Sequence, residues 1–208
     1  VEGNLNIAGS VYEDTVETVR KYFPNLVLNV QGGYYIRFAD DAVLDVLLAK
    51  GIGDGIGITV ADAEAVTDIG TWFKGNTEIT SFDEFEKFTG VTSVSSQAFF
   101  NATALTSIQI PENVTVIKKI AFANTLIGGE LILHNVEEIK NDAFKGTAIT
   151  KVEAPKLKKL SSTGSLWVDG VNYRCGAFEG CANLASIDIS KLEEIAAGTF
   201  SGCANLAI

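Results

Sequence analysis

A phenylalanine returns at a near-constant interval through the second half of this 208-residue chain, and that period limits the fold more than any other feature. Phe99, Phe122, Phe144, Phe178 and Phe200 each follow an alanine or a threonine, at intervals of 23, 22, 34 and 22 residues. An apolar pair precedes the ring at a fixed offset in Val91/Val94, Val114/Ile117, Val136/Ile139 and Leu192/Ile195, and Leu157/Leu160 supplies the same pair before the long interval. A second apolar set follows: Leu105/Ile108/Ile110, Ile127/Leu131/Leu133, Ile149/Val152/Ala154 and Leu184/Ile187/Ile189. The 34-residue interval then holds about a dozen inserted residues between Leu160 and Ala177, because the pattern resumes intact on the far side.

A unit of this size cannot bury its own apolar side, so successive units must stack and share one continuous core. The alternation in Ile108-Gln109-Ile110 and Ile187-Asp188-Ile189 has the period of a strand with one buried face. Stacked strands of this kind form a parallel sheet. The phenylalanines form an internal column, with Asn-Thr, Gly-Thr or Gly-Cys turns just behind them.

Units of the form Val91-Thr-Ser-Val94, Ala98-Phe99, Leu105-Thr-Ser-Ile108-Gln-Ile110-Pro111 resemble the BspA-like class of leucine-rich repeats found in surface proteins of anaerobic bacteria. The resemblance runs from about Ile79 to the C-terminus, with five units in register. It implies an α/β-type solenoid with parallel strands over 76–208, and a place on the bacterial surface or outside the cell. It also implies attachment to host extracellular-matrix or other cell-surface proteins. Phe82-Asp-Glu-Phe85-Glu-Lys-Phe88 looks like the short amphipathic lead-in ahead of such arrays.

Residues 1–75 read as a small α/β segment with a helix-loop-helix. Leu5-Asn-Ile7 and Leu26-Val-Leu28-Asn-Val30 are strand-like, and Val16, Val19, Tyr22 and Phe23 between them fall at helical spacing. Ile7 to Leu28 is 21 residues, so this stretch is either a divergent repeat or a separate compact fold. The segment 40–65 resembles the helix-loop-helix insert of some of these surface proteins, whose loop binds calcium. Here Gly51, Gly53 and Gly55 stand where an EF-hand loop ending at Asp62 would need its oxygen ligands. The loop therefore reads as a glycine-rich connector, and no cofactor or metal is expected. Nor does a Lys-Thr or Lys-Ser follow those glycines, as a phosphate loop requires.

Charge narrows the partners. The net charge of −10 is spread over both parts, with 11 acidic and 5 basic residues up to Gly75. Neither part offers the basic stripe that nucleic acid or an anionic membrane surface would demand. No apolar run is long enough to span a bilayer. The chain contains no methionine, so Val1 is read as following a removed leader or tag. Three cysteines are too few for a disulfide framework. Cys181 and Cys203 occupy one repeat position and read as small buried hydrophobes, whereas Cys175 lies in the insertion, where pairing with Cys181 is the alternative.

Chemistry is hard to place. His134 is the one histidine, no nucleophile can be set beside it, and the expectation is a non-catalytic protein. Glu137-Glu138, Lys158-Lys159 and Glu193-Glu194 fall at the same two positions of three units, which predicts an alternating charge ladder instead of an acid-base pair. Within the insertion near 161–176, Leu166 to Tyr173 reads as a hairpin turning on Asp169-Gly170, with Val168 opposite Val171 and Trp167 opposite Asn172. Trp167, Tyr173 and Arg174 on that hairpin, and Gln109, Ile132, Glu153 and Asp188 on the strands, are the candidate partner-binding residues. For the hairpin rings, packing back over a gap in the repeat is an equal alternative. The leading function is a protein-binding or adhesion module acting as a monomer. The alternative is a structural spacer or self-assembling element, since the chain stops at Leu206-Ala-Ile208, part-way through a unit.

Overall fold

A computed structural model describes residues 3–161, 166–173 and 176–207. The first elements are β1 (Gly3–Ile7), β2 (Val11–Tyr12), α1 (Glu13–Tyr22), β3 (Leu26–Val30) and β4 (Tyr34–Tyr35). β1 pairs with β3 and β2 with β4, both in parallel and both displaced by the same 23 residues, as the Asn6–Asn29 side-chain bond also is. Glu13 and Asp14 open α1 and Arg20 and Lys21 close it, each matching the sign of the helix dipole. The expected apolar helix face is corrected: Val16 is buried, but Tyr22 is 69% and Phe23 42% exposed. A sheet of two strands is too narrow to cover the last turn of the helix.

Two helices follow, α2 (Asp41–Ala49) and α3 (Val60–Ala65). Asp40 caps α2 by accepting from the Ala42 N–H, and Thr59 and Asp62 form a reciprocal capping box on α3. The glycine-rich loop between them is closed by Asp54. One carboxylate oxygen of Asp54 accepts from the N–H groups of Ile56 and Gly57, and the other accepts the Tyr35 hydroxyl. Gly53 sits at φ +79°, where a Cβ would lie 2.1 Å from the Gly57 carbonyl oxygen, so the turn admits no side chain there. Asp54 and Asp62 are thus spent on the segment's own backbone, on Thr59 and on Tyr35.

Beyond it the chain winds into stacked coils. Their short strands are β5 (Ser81–Phe82), β6 (Ser93–Val94), β7 (Ser107–Ile108), β8 (Val116–Ile117), β9 (Gly128–Ile132), β10 (Glu138–Ile139), β11 (Ala148–Glu153) and β12 (Lys159–Leu160). After the hairpin strands β13 (Leu166–Val168) and β14 (Val171–Tyr173) come β15 (Ser186–Ile187) and β16 (Glu194–Ile195). The pair ahead of each phenylalanine supplies one parallel sheet, in the order β6, β8, β10, β12, β16. The set behind it supplies a second, β9, β11, β15, with β5 and β7 paired beside the first coils. Leu131 lies level with Val152 and Val152 with Ile187, so like positions stack on like.

Parallel pairing sets neighbouring strands about 4.8 Å apart, and the rings inside follow that pitch. Phe99, Phe122, Phe144 and Phe178 stack at 5.1, 5.1 and 5.3 Å between centroids, within 9° of parallel. Phe144 and Phe178 stack directly across the insertion, which therefore leaves the column undisturbed. The column also extends one ring further than the spacing indicated: Phe73 stacks on Phe99 at 5.2 Å. Its 26-residue interval and its neighbour Trp72 in place of alanine hid it. The residue two beyond each ring is left-handed, at Gly75, Asn101, Asn124, Gly146, Gly180 and Gly202. Asparagine and glycine are the residue types that tolerate this conformation.

One position further on, the side chains close on the turns. Thr125 donates to the Phe122 carbonyl, while the thiols of Cys181 and Cys203 donate to the carbonyls of Phe144 and Phe178 one coil back. Both cysteines are free thiols, and burial pushes the Cys181 thiol up to about 11, which leaves it unreactive at neutral pH. Cys175 lies outside the described residues.

The core is continuous from Ile36 to Leu184, so the helices and the coils share one apolar interior across residue 75. Phe82, Phe85 and Phe88 of the lead-in are fully buried in it. Asp40 fastens the junction, accepting from the Thr80 N–H at 2.6 Å, the Thr80 hydroxyl at 2.8 Å and the Ser81 N–H at 3.3 Å. Partial burial opposes its charge, but the donors of Thr80, Ala42 and Ser81 outweigh it and hold the carboxyl below its usual range.

Two outcomes follow from this packing. Phe144→Ala empties a site enclosed on both sides and should cost about 3 to 5 kcal/mol in chemical denaturation, with Phe200→Ala at the half-buried end costing less than half of that. Because the Asp40 carboxyl is depressed in the fold, its contribution is full above the unfolded pKa near 3.9 and is lost as pH falls through the folded value. Asp40→Asn should therefore flatten the acid limb of the stability curve below about pH 4. An unchanged limb would show that the junction does not depend on this charge.

Candidate binding face

The strands β9, β11 and β15 present one outward face, and the four strand residues expected to make contacts all lie exposed on it or at its edge. Ile132 and Glu153 are in register on neighbouring coils. Asp188 and Gln109 directly follow β15 and β7. The face carries two grooves. One, of about 270 Å³, contains Gln109 and Ile132 with Asp83, Glu86, Glu112, Glu130 and His134. The other, of about 350 Å³, contains Glu153 and Asp188 with Lys151 and Pro155.

Lys151 was not singled out by the spacing, yet it organises the face. Its ammonium donates to Glu130 of the preceding coil at 2.8 Å and to Glu153 on its own strand. Those bonds, Glu130 foremost, raise the lysine well above its ordinary value, and the bond from Lys151 lowers Glu153. The clue was present in sequence, because residues two apart on a strand point the same way. The partner from the neighbouring coil, Glu130, could be found only once the register was known.

His134 sits at the rim of the first groove, exposed, with Nε2 4.0 Å from Glu112. Among the described residues no group of three or more histidines, cysteines or carboxylates is placed to hold a metal ion. On the other sheet the charge ladder forms as its spacing predicts: Glu138 lies level with Lys159, Lys159 with Glu194, and Lys158 reaches Glu137 at 3.1 Å. Each such exposed pair contributes only about 0.2 to 1 kcal/mol, so the ladder's main effects are register and solubility.

The hairpin forms in the expected register, Val168 level with Val171 and Trp167 with Asn172, and Asp169 and Gly170 at φ 49° and 80° supply its turn. Its two rings part company. Trp167 is 67% exposed. Tyr173, a candidate contact residue for which packing was the equal alternative, takes the packing: it is buried, its ring meets Phe100 edge-on at 5.5 Å and it lies under the Lys145 ammonium. With Val168 it closes a small apolar cluster over Phe100, Ile120 and Ala123. Those are the apolar groups the coils leave on that side, so packing takes the tyrosine. Arg174 lies outside the described residues.

A larger groove, of about 410 Å³, lies between α1 and β4 and had no signal in the spacing. Within it Arg37 pairs with Asp14 and covers the Tyr12 ring, and Tyr35 donates to Asp54.

Stacked coils of about 22 residues, each giving a short strand to a parallel sheet and one ring to an interior column, define a leucine-rich-repeat protein. The chain belongs to the BspA type leucine-rich repeat family, whose repeat matches in six copies over residues 62–165 and 172–208. The match opens ahead of the five units counted from Ile79, and its first part contains the extra ring, Phe73. No curated protein and no solved structure matches the chain. No helix among the described residues is long and apolar enough to cross a membrane.

The two hairpin rings should separate in stability. Tyr173→Ala should cost about 2 to 4 kcal/mol by loss of its packed ring, and Trp167→Ala should stay within about 0.5 kcal/mol of the parent. Equal losses in urea denaturation would contradict the division of labour between them.

Proposed function

We propose that this chain is a non-catalytic binding module: a solenoid at the bacterial surface or outside the cell that holds other proteins on its strand face. The observation that carries the reading is the β9, β11, β15 face itself, with Ile132 44% exposed among charged neighbours on short, hydrogen-bonded strands. A face fixed before binding loses little freedom when a partner settles on it. Trp167, on the paired strands of the hairpin, is the second anchor, since an exposed tryptophan is a common centre of contact energy. Leucine-rich repeats generally mediate protein interactions, and members of this family are often surface adhesion proteins, which favours host extracellular-matrix or cell-surface proteins as partners. The module acts as a monomer and uses no cofactor.

Immobilised chain should capture a protein from a panel of purified extracellular-matrix and cell-surface proteins, and Ile132→Ser or Trp167→Ala should weaken that capture about tenfold or more. Retained capture by both variants would remove the assigned face. Concentration-dependent self-association in solution scattering, without capture, would favour a structural element instead.

A further inference from the structure

We infer that the partner segment seated in the first groove is cationic, a stretch of polypeptide carrying lysine or arginine. The inference rests on the protein-binding reading and narrows its partner.

Shape is the first argument. The groove has an apolar floor, with Ile108 and Ile110 nearly buried and Ile132 partly exposed, on strands whose positions are fixed by pairing. A lysine or arginine side chain has the matching form, an aliphatic stem that covers apolar surface and a charged head that reaches past it.

Charge is the second. The groove's lining holds four carboxylates, Asp83, Glu86, Glu112 and Glu130, and no lysine or arginine. Three cationic groups stand at its edges: Lys151 is bonded to Glu130 at 2.8 Å, Lys87 pairs with Glu86 at 3.4 Å, and His134 lies 4.0 Å from Glu112. The Glu112 side chain is 74% exposed, so it meets an incoming charge without first being uncovered. An acidic segment would be set against Asp83 and Glu112, which no lysine or arginine among the described residues pairs, and that costs binding energy, while a cationic one supplies the missing partner.

This face also already holds one ammonium in the manner proposed. Lys151 crosses between coils and is bonded to Glu130 and Glu153 at once. Glu130 and Glu153, on neighbouring coils, are therefore spaced to share a single lysine head. An extended segment crossing the coils would present alternate side chains roughly 7 Å apart, one face toward the groove.

The chain's net charge of −10 would attract any cation, so the test must separate the groove from the overall field. Titration calorimetry of the full chain would use a short peptide alternating lysine and valine, its counterpart with glutamate in place of lysine, and spermine. The lysine peptide should bind and the glutamate peptide should not. Glu112→Gln with Glu130→Gln should weaken the lysine peptide about tenfold, and Glu112→Gln alone about threefold. Glu193→Gln with Glu194→Gln removes the same charge from the other sheet and should change binding less than about twofold. Equal weakening by the two double variants, no binding of the lysine peptide, or spermine bound as tightly as the peptide would each overturn the inference. Unchanged unfolding midpoints in the variants would tie any loss to the groove. Capture of a protein through Ile132 and Trp167 without affinity for the lysine peptide would leave the binding-module reading standing and remove this one.

Discussion

Backbone hydrogen bonds between successive coils fix a spacing of about 4.8 Å, and nearly every other feature of this protein is a consequence of that spacing. Flat rings can fill a column of that pitch without gaps, which is why one phenylalanine per coil suffices from Phe73 to Phe178. Each ring is enclosed only because there is a coil above and a coil below. At the last coil the separation between Phe178 and Phe200 grows to 6.0 Å and Phe200 is half-buried. Stability is therefore shared between neighbours and is not a property of any single unit.

The same spacing dictates where the backbone must be left-handed. Besides the residue two beyond each ring, the residue two before it has positive φ at Gln97, Ile120, Asp142 and Gly198. A β-branched residue such as Ile120 is disfavoured there, at a cost on the order of 1 to 3 kcal/mol. The hairpin supplies the compensation. Val168 and Tyr173 close over Ile120, Phe100 and Ala123, so the strained residue is also the centre of a small apolar cluster. The insertion is thereby a structural cover on its inner side and, through Trp167, a presented surface on its outer side.

The two sheets use like-positioned charges in different ways. On the ladder, glutamate and lysine alternate between coils in register, and Lys158 pairs with Glu137. On the other face, Lys151 is shared between Glu130 and Glu153, and the neighbouring groove is lined by carboxylates without a lysine or arginine of its own. An asymmetry of this kind gives a repeat protein, whose units are otherwise alike, a place where a partner can be distinguished by charge.

Sequence alone determined the coil. The period of Phe99, Phe122, Phe144, Phe178 and Phe200, the apolar pairs around each ring and the turn residues behind it are local patterns with one stable solution, and the Asp169-Gly170 hairpin and the charge ladder are equally local. It missed Phe73, because one irregular interval hides a ring that only stacking reveals, and the helical spacing of Tyr22 and Phe23 did not tell that both are exposed. Tertiary structure decided what depends on residues far apart in the chain: that Tyr173 packs on Phe100 while Trp167 faces solvent, that Asp40 joins the helices to Thr80, and that Lys151 is held between coils by Glu130. Period and turn chemistry are written in neighbouring residues, whereas burial and pairing depend on which coil comes to rest beside which. That is settled only when the chain is stacked.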